Sequence, residues 1–265
     1  MATEPATPAR GSSLRAAARI AAILLASVLA MPLQWALQPL LRGRARFALP
    51  RRWHAALRRA LGIHVELAGT PRNLPRTLYV GNHVSHFDIP LLGSLLDARF
   101  IAKDDMERWP GMRWVGSLQR TLFVSRRRAD AVRVAAQVEA AMQAGDGLVL
   151  FAEGTTSDGT RVAPFKSTLL GLFTRGAQDW MLQPFTIDVL DVDDVPLDVG
   201  GDRDGYAFHG DMQAGAHAWR FLRSRGARVL VVFHAPVPIA PGSDRKALAA
   251  QARAVVASGL RAARG

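Results

Sequence analysis

The chain has 265 residues and a formal net charge of +12, from 34 Lys and Arg against 22 Asp and Glu, and it has no cysteine. That length buries a substantial core and fits one catalytic domain plus an N-terminal segment, while the lack of cysteine excludes disulfides, thiolate metal sites and a cysteinyl acyl-enzyme. The charge favours anionic partners, but the arginines are scattered and no helix-turn-helix, zinc or RNP-type pattern is present, so nucleic acid is set aside.

Residues 1–19 read as a disordered basic tail, with Met1–Ser13 rich in Ala, Thr and Pro and with Arg10, Arg15 and Arg19 as its charges. Residues 20–52 read as an N-terminal membrane anchor or helical hairpin. Its apolar stretch, Ile20–Leu41, approaches the thickness of a bilayer's hydrocarbon, but Pro32, Gln34, Gln38 and Pro39 interrupt it. A kinked span, a re-entrant hairpin and a tilted interfacial anchor all fit. Arg42, Arg44, Arg46, Arg51 and Arg52 follow, and this heavier basic flank puts the downstream domain on the cytoplasmic face, at the inner membrane in a bacterium. A cleavable signal peptide is the rival reading, with Ser27-Val28-Leu29-Ala30 as its cleavage site, although apolar character continues through Trp35-Ala36-Leu37.

Residues 53–265 alternate short apolar runs with helical periodicity, the pattern of an α/β domain. The expected strands are His64–Ala68, Thr77–Val80, Arg99–Ala102, Thr121–Val124, Gly147–Phe151, Leu182–Val189 and Arg228–His234. The expected helices are Ile89–Leu96, Ala129–Ala144, Ser167–Asp179, Gln213–Arg225 and Asp244–Ala263. Trp109–Trp114 reads either as an amphipathic lip at a lipid surface or as packing under a loop. The run Asp188, Asp191, Asp193, Asp194, Asp198, Asp202 and Asp204 lacks the Gly and the terminal Glu of a calcium loop, so it reads as a solvated excursion and no metal is expected.

Three blocks carry chemistry. Asn82-His83-Val84-Ser85-His86-Phe87-Asp88 follows the strand Thr77–Val80, so His83 sits where a strand hands over to a helix, ahead of the carboxylate of Asp88. A His paired with an Asp can take a proton from an alcohol, whereas the bland alternative makes Asp88 the N-cap of a helix through Ile89–Leu92. Thr121–Arg126 is a strand delivering Arg126, suited to an anionic headgroup. Phe151-Ala152-Glu153-Gly154-Thr155-Thr156-Ser157 is a polar turn after another strand, able to offer hydroxyl and main-chain donors.

As a set, these blocks resemble the glycerolipid acyltransferase superfamily, with its 1-acylglycerol-3-phosphate and other lysophospholipid acyltransferases. Asn82–Asp88 is similar to that family's Asn-His-x-Ser-x-x-Asp block, Gly116–Arg126 to its second block, Phe151–Ser157 to its third and Leu182–Ile187 to a looser fourth. The resemblance implies a mixed sheet flanked by helices, as in the glycerol-3-phosphate acyltransferases. It also implies an O-acyltransferase working at a membrane, with acyl-CoA or acyl carrier protein as co-substrate and no cofactor. His83 is then the general base and Asp88 its orienting partner. Arg126, Glu153, Gly154, Thr155 and Thr156 line the acceptor site, with Asn82 and Ser85 in support.

If His83 lies at a helix N-terminus, the dipole keeps it neutral, and main-chain donors near the first block hold the oxyanion. His86 is a decoy, on the surface or behind the site. Many lysophosphatidate acyltransferases carry Arg where Thr156 stands here, and the Thr-Thr form is similar to lyso-ornithine-lipid and lysophospholipid enzymes. The acceptor is taken as lysophosphatidate, with those lipids as alternatives. A serine lipase built on Ser85 is more remote, because no Gly-x-Ser-x-Gly elbow occurs.

Overall fold

The computed structural model describes residues 11–108, 112–125, 127–175, 180–197 and 203–264. In chain order the helices are α1 (Ser13–Leu37), α2 (Ala48–Leu61), α3 (Asp88–Gly93), α4 (Met112–Leu118), α5 (Ala131–Gln143), α6 (Leu170–Phe173), α7 (Ala214–Arg223) and α8 (Arg245–Ala262). The strands are β1 (Ile63–Ala68), β2 (Thr77–Gly81), β3 (Ala98–Lys103), β4 (Leu122–Val124), β5 (Gly147–Phe151), β6 (Trp180–Val192), β7 (Val195–Pro196), β8 (Ala227–Phe233) and β9 (Val237–Ile239). The expected strands are all present, with ends shifted by a few residues; β7 and β9 are additions on the edges of β6.

The described strands form one sheet in the order β1-β8-β6-β2-β5-β3-β4, and it is mixed: β8 runs antiparallel to β6, while β2 runs parallel to both β5 and β6. Side chains alternate across it. Leu78, Val80, Leu148, Leu150 and Leu182 pack beneath α5, α6 and α8, whereas Tyr79, Val149, Phe151 and Phe185 pack with α3 and α7. A central strand covered on both faces has no polar side to show, which is why β2 and β5 are buried along their whole length. Gly81 is required where it stands, because a Cβ there would lie 2.4 Å from the Phe185 ring.

Two expectations at the N-terminal end are corrected, and two expected helices are shorter than read. The tail does not extend to Arg19: α1 starts at Ser13, where Ser12 caps it by accepting from Arg15 N at 3.2 Å. Arg19 is buried, and its guanidinium donates to the carbonyls of Phe221, Leu222, Ser224 and Arg225, the orphan acceptors at the end of α7. The domain boundary at 52/53 falls inside α2, a helix with Trp53, His54 and Leu61 turned inward, which ends at Gly62 in the left-handed conformation (φ 76°). Ile89–Leu96 and Ser167–Asp179 hold only the shorter α3 and α6, and 176–179 lie outside the described residues.

The acidic excursion is also corrected, because its carboxylates are paired rather than simply solvated. Asp188 is 2% exposed and contacts Arg203 at 3.1 Å and Arg264 at 2.7 Å. Asp191 meets Arg228, Asp194 meets Arg225 and Asp204 meets His209. Asp198 and Asp202 lie outside the described residues.

His54 links α2 to the rest of the domain: its Nε2 is 2.6 Å from Gln119 Oε1, and its ring meets Trp53 and Phe100 edge-on. Burial holds its pKa at about 4, below the ordinary 6.5, outweighing the hydrogen bond to Gln119. A histidine with a depressed folded pKa stabilises the fold fully above the unfolded value, and that contribution is lost as pH falls from 6.5 towards 4. Full protonation costs on the order of 3 kcal/mol. The thermal midpoint in detergent is therefore expected to be flat above pH 7 and to fall between pH 6.5 and 4, with a shallower fall in His54→Gln; equal slopes in the two proteins would contradict this.

Candidate active site

The register of three parallel strands assembles the site. Gly81 pairs with Phe151 on one side and Phe185 on the other, so the turn after β2 emerges beside the turn after β5. Carboxyl ends of parallel strands are where open α/β sheets place their ligands. Asn82 makes the exit possible: its side chain donates to Ile187 O and accepts from Ile187 N, both at 2.8 Å. The amide thus continues the ladder to β6 while the main chain turns away.

His83 follows. Its Nδ1 lies 2.8 Å from Asp88 Oδ2, and that oxygen also accepts from Val84 N at 2.7 Å and Ser85 N at 3.0 Å. Asp88 Oδ1 accepts from the Tyr206 hydroxyl at 3.0 Å. Surrounded by donors, the carboxylate takes the proton of Nδ1 as a hydrogen bond, which leaves Nε2 as the ring's basic nitrogen. The ring stacks on Phe151 with centroids 3.8 Å apart and planes 13° from parallel, and its side chain keeps 17% exposure while Asp88 has none. The dyad therefore has one fixed, dry end and one accessible edge.

Three points follow from this geometry. Asp88 is the first residue of α3, and its carboxylate reaches back to Val84 and Ser85 instead of capping the amides ahead of it. His83 stands in the turn before that helix and not at its N-terminus, so the condition under which a helix dipole would keep it neutral is not met. Three main-chain donors of the block are also engaged within the protein: Val84 N and Ser85 N serve Asp88, and His83 N donates to Glu153 Oε2 at 3.0 Å.

Glu153 is 3% exposed, and its other oxygen accepts from Ala163 N at 2.7 Å. Burial raises its pKa, opposed by the two main-chain donors. The carboxylate thus faces the backbone of His83 and of its own loop. Ser157 N donates to His83 O at 2.9 Å, closing the same turn from the other side. Gly154 stands at a left-handed position (φ 73°), Thr155 is exposed and Thr156 partly so. Arg126 and Trp109–Gly111 lie outside the described residues, whereas Trp114 on α4 is 63% exposed.

Ser85 is fully buried and its hydroxyl has no hydrogen-bond partner among the described residues, so it lacks both the access and the activation a nucleophile needs. His86 is half-buried, with its ring against Phe87, Phe208 and His217. Burial, with His217 second, lowers its pKa to about 4, and none of the hydrogen bonds to Asp88 is its own.

Residues with no signal in the sequence complete the surroundings. Arg264 contacts Asp188 and donates to the carbonyls of Gly159 and Thr160, while Arg253 donates to those of Val162 and Ala163. Tyr206 and Phe208 come from the segment after the acidic run, and Phe208 N donates to Val84 O at 2.9 Å. Their partners lie far away in the chain, so no local spacing announces them.

Comparison with known proteins supplies the family. Residues 64–193 match the family model described as Acyltransferase. The chain is 34% identical over 236 residues to a lyso-ornithine lipid O-acyltransferase of Brucella abortus, covering 87% of this chain and 88% of that one. It is 29% identical over 212 residues to a 1-acyl-sn-glycerol-3-phosphate acyltransferase of Neisseria gonorrhoeae, covering 79% and 78%. The crystal structure of the 1-acyl-sn-glycerophosphate (LPA) acyltransferase PlsC from Thermotoga maritima shares the fold, with a TM-score of 0.70 at 20% identity over 95% of both chains. With a match of this extent to relatives and the family's first block folded into a buried His–Asp pair, the chain belongs to the acyltransferase family of lysolipid-acylating enzymes.

Proposed function

We propose that this chain acylates the free hydroxyl of lyso-ornithine lipid, using acyl-CoA or acyl-acyl carrier protein, with His83 as base. The observation that carries the chemistry is the imidazole held through Nδ1 by a buried carboxylate, its other edge accessible. His83 Nε2 takes the hydroxyl proton as the lipid oxygen attacks the thioester carbonyl, and Asp88 steadies the imidazolium that forms. Collapse of the tetrahedral adduct breaks the carbon–sulfur bond, and the imidazolium returns the proton to the thiolate. The ester and a free thiol are the products, with no covalent enzyme intermediate.

The acceptor reading shifts from the lysophosphatidate expected from sequence. The relatives of greater identity are lyso-ornithine lipid enzymes, at 34% and 33%, against 29% for the phosphatidate-forming ones. Thr156 agrees with them. A phosphomonoester carries up to two charges, an ornithine headgroup one carboxylate and one ammonium, so a site lacking the extra Arg suits the less anionic lipid. Lysophosphatidate stays the second reading, favoured by the Neisseria relatives.

The placement of α1 supports attachment in the plane of the membrane. This 25-residue helix is long and apolar enough to cross a bilayer, at about 1.5 Å per residue. Yet the domain lies along its length: Arg19 binds α7 near one end, Ser27 accepts from Trp53 Nε1 at 3.1 Å, and Trp35 Nε1 lies 3.3 Å from Ser117 Oγ near the other. Leu24, Leu25, Val28, Leu29 and Leu33 remain exposed on the opposite face. The basic flank that follows α1 favours the cytoplasmic leaflet.

Three outcomes are expected. In folded protein, His83→Ala abolishes transfer and Asp88→Asn lowers kcat by about three orders of magnitude or more, while His86→Ala keeps most activity; an active His83→Ala variant would remove the assignment. Across a panel of lysolipids, lyso-ornithine lipid gives the highest kcat/KM, and Thr156→Arg shifts preference towards lysophosphatidate by about 10-fold or more, the worth of one charge-assisted hydrogen bond. A wild-type preference for lysophosphatidate would reverse the reading. The chain lacks cysteine, so Leu14→Cys and Arg42→Cys can be probed singly with an impermeant maleimide. Both sites should label from the cytoplasmic side, whereas labelling from opposite sides would make α1 a span.

A further inference from the structure

Tyr206 lies outside the sequence blocks, in the segment between β7 and α7, yet it reaches the centre of the dyad. The side chain has no exposure and its ring packs against Phe87 and Phe221, with centroids 5.7 and 5.8 Å away. Its hydroxyl donates to Asp88 Oδ1, the carboxylate oxygen not engaged by His83, Val84 or Ser85. Burial, and Asp88 next, push the phenol's pKa well above its ordinary 10.0, so it remains a donor throughout the working range.

The segment carrying it is tied at both ends. Arg203, 4% exposed, donates to Asp188 Oδ1 at 3.1 Å and to Val189 O at 2.7 Å, and Phe208 N donates to Val84 O at 2.9 Å. A carboxylate turns easily about its last side-chain bond, a broad two-fold torsion. With Oδ1 unbonded in a dry site, the group would turn to share its donors, and Oδ2 would leave the line of Nδ1.

We propose that Tyr206 is a positioning residue for acyl transfer: by donating to Asp88 Oδ1 it sets the rotation of the carboxylate, and through it the direction in which His83 presents Nε2 to the acceptor hydroxyl. This rests on His83 and Asp88 being the catalytic pair of a lysolipid acyltransferase. Tyr206 itself touches neither the imidazole nor the substrate in this scheme. Its effect therefore belongs in kcat and disappears when Asp88 can no longer do its work.

The test uses the full chain in detergent micelles, with acyl-CoA as donor and lyso-ornithine lipid and lysophosphatidate as acceptors. Tyr206→Phe should lower kcat by about 10- to 30-fold, leave both KM values within about twofold and keep the unfolding midpoint within a few degrees. Placed on Asp88→Asn, the same substitution should produce no further loss. Phe221→Leu disturbs the same packing but keeps the hydroxyl, so it should lower the midpoint without that drop in kcat. A Tyr206→Phe kcat within twofold of wild type, an equal loss in both backgrounds, or an equal kcat loss in Phe221→Leu would each overturn the positioning role while leaving the acyltransferase reading intact. A wild-type chain that acylates neither acceptor would instead overturn the reading on which the proposal rests.

Discussion

A carboxylate with no access to water must find its donors inside the protein, and the requirement of Asp88 organises this site. Leaving a buried charge without partners costs several kcal/mol, more than most single contacts contribute. The first block folds to avoid that penalty. Val84 N and Ser85 N point at Oδ2, which sets the turn, and the turn sets the distance at which His83 Nδ1 meets the same oxygen. Once Oδ2 is saturated, Oδ1 needs a donor from elsewhere, and the segment after β7 supplies Tyr206.

The same logic extends outward through Glu153, the second buried carboxylate of the site. By accepting from His83 N and Ala163 N it fastens the turn after β2 to the loop after β5. Asp188 is a third, shared by Arg203, which carries the Tyr206 segment, and Arg264, which holds the carbonyls of Gly159 and Thr160. Three buried acids thus hold three stretches of chain around one imidazole. Such a frame suits proton transfer, where a misplacement of about 1 Å costs about two orders of magnitude in rate.

At the N-terminal end, one helix presents two unlike faces. The inner face of α1 is built from small residues, a buried Arg19 that completes the end of α7, and a seam with Trp53 and Leu118. Its outer face exposes leucine and valine side chains, and Trp114 is exposed on α4, the helix that α1 meets through Trp35 and Ser117. An apolar surface of this kind belongs against lipid or another apolar partner. On the proposed in-plane attachment, that face would hold the catalytic domain close to the layer in which a lysolipid resides.

The fold class, the seven expected strands, the family blocks and the pairing of His83 with Asp88 are legible in the chain alone. Those features rest on short-range patterns: an apolar run, a turn, and side chains whose five-residue spacing lets one bend bring them together. Buried strands such as Gly147–Phe151 are legible because a run covered on both faces has no polar alternation to confuse it. The folded arrangement alone reveals which groups the acids bind, that Glu153 faces the main chain, that Asp188 is buried between two guanidiniums, and that Tyr206 donates to Asp88. It also reveals that α1 begins at Ser13, since Arg19 resembles a tail charge until the orphan carbonyls of α7 are placed beside it. Most of those contacts join residues 70 or more positions apart, and the sheet register that brings them together has no local trace in the chain.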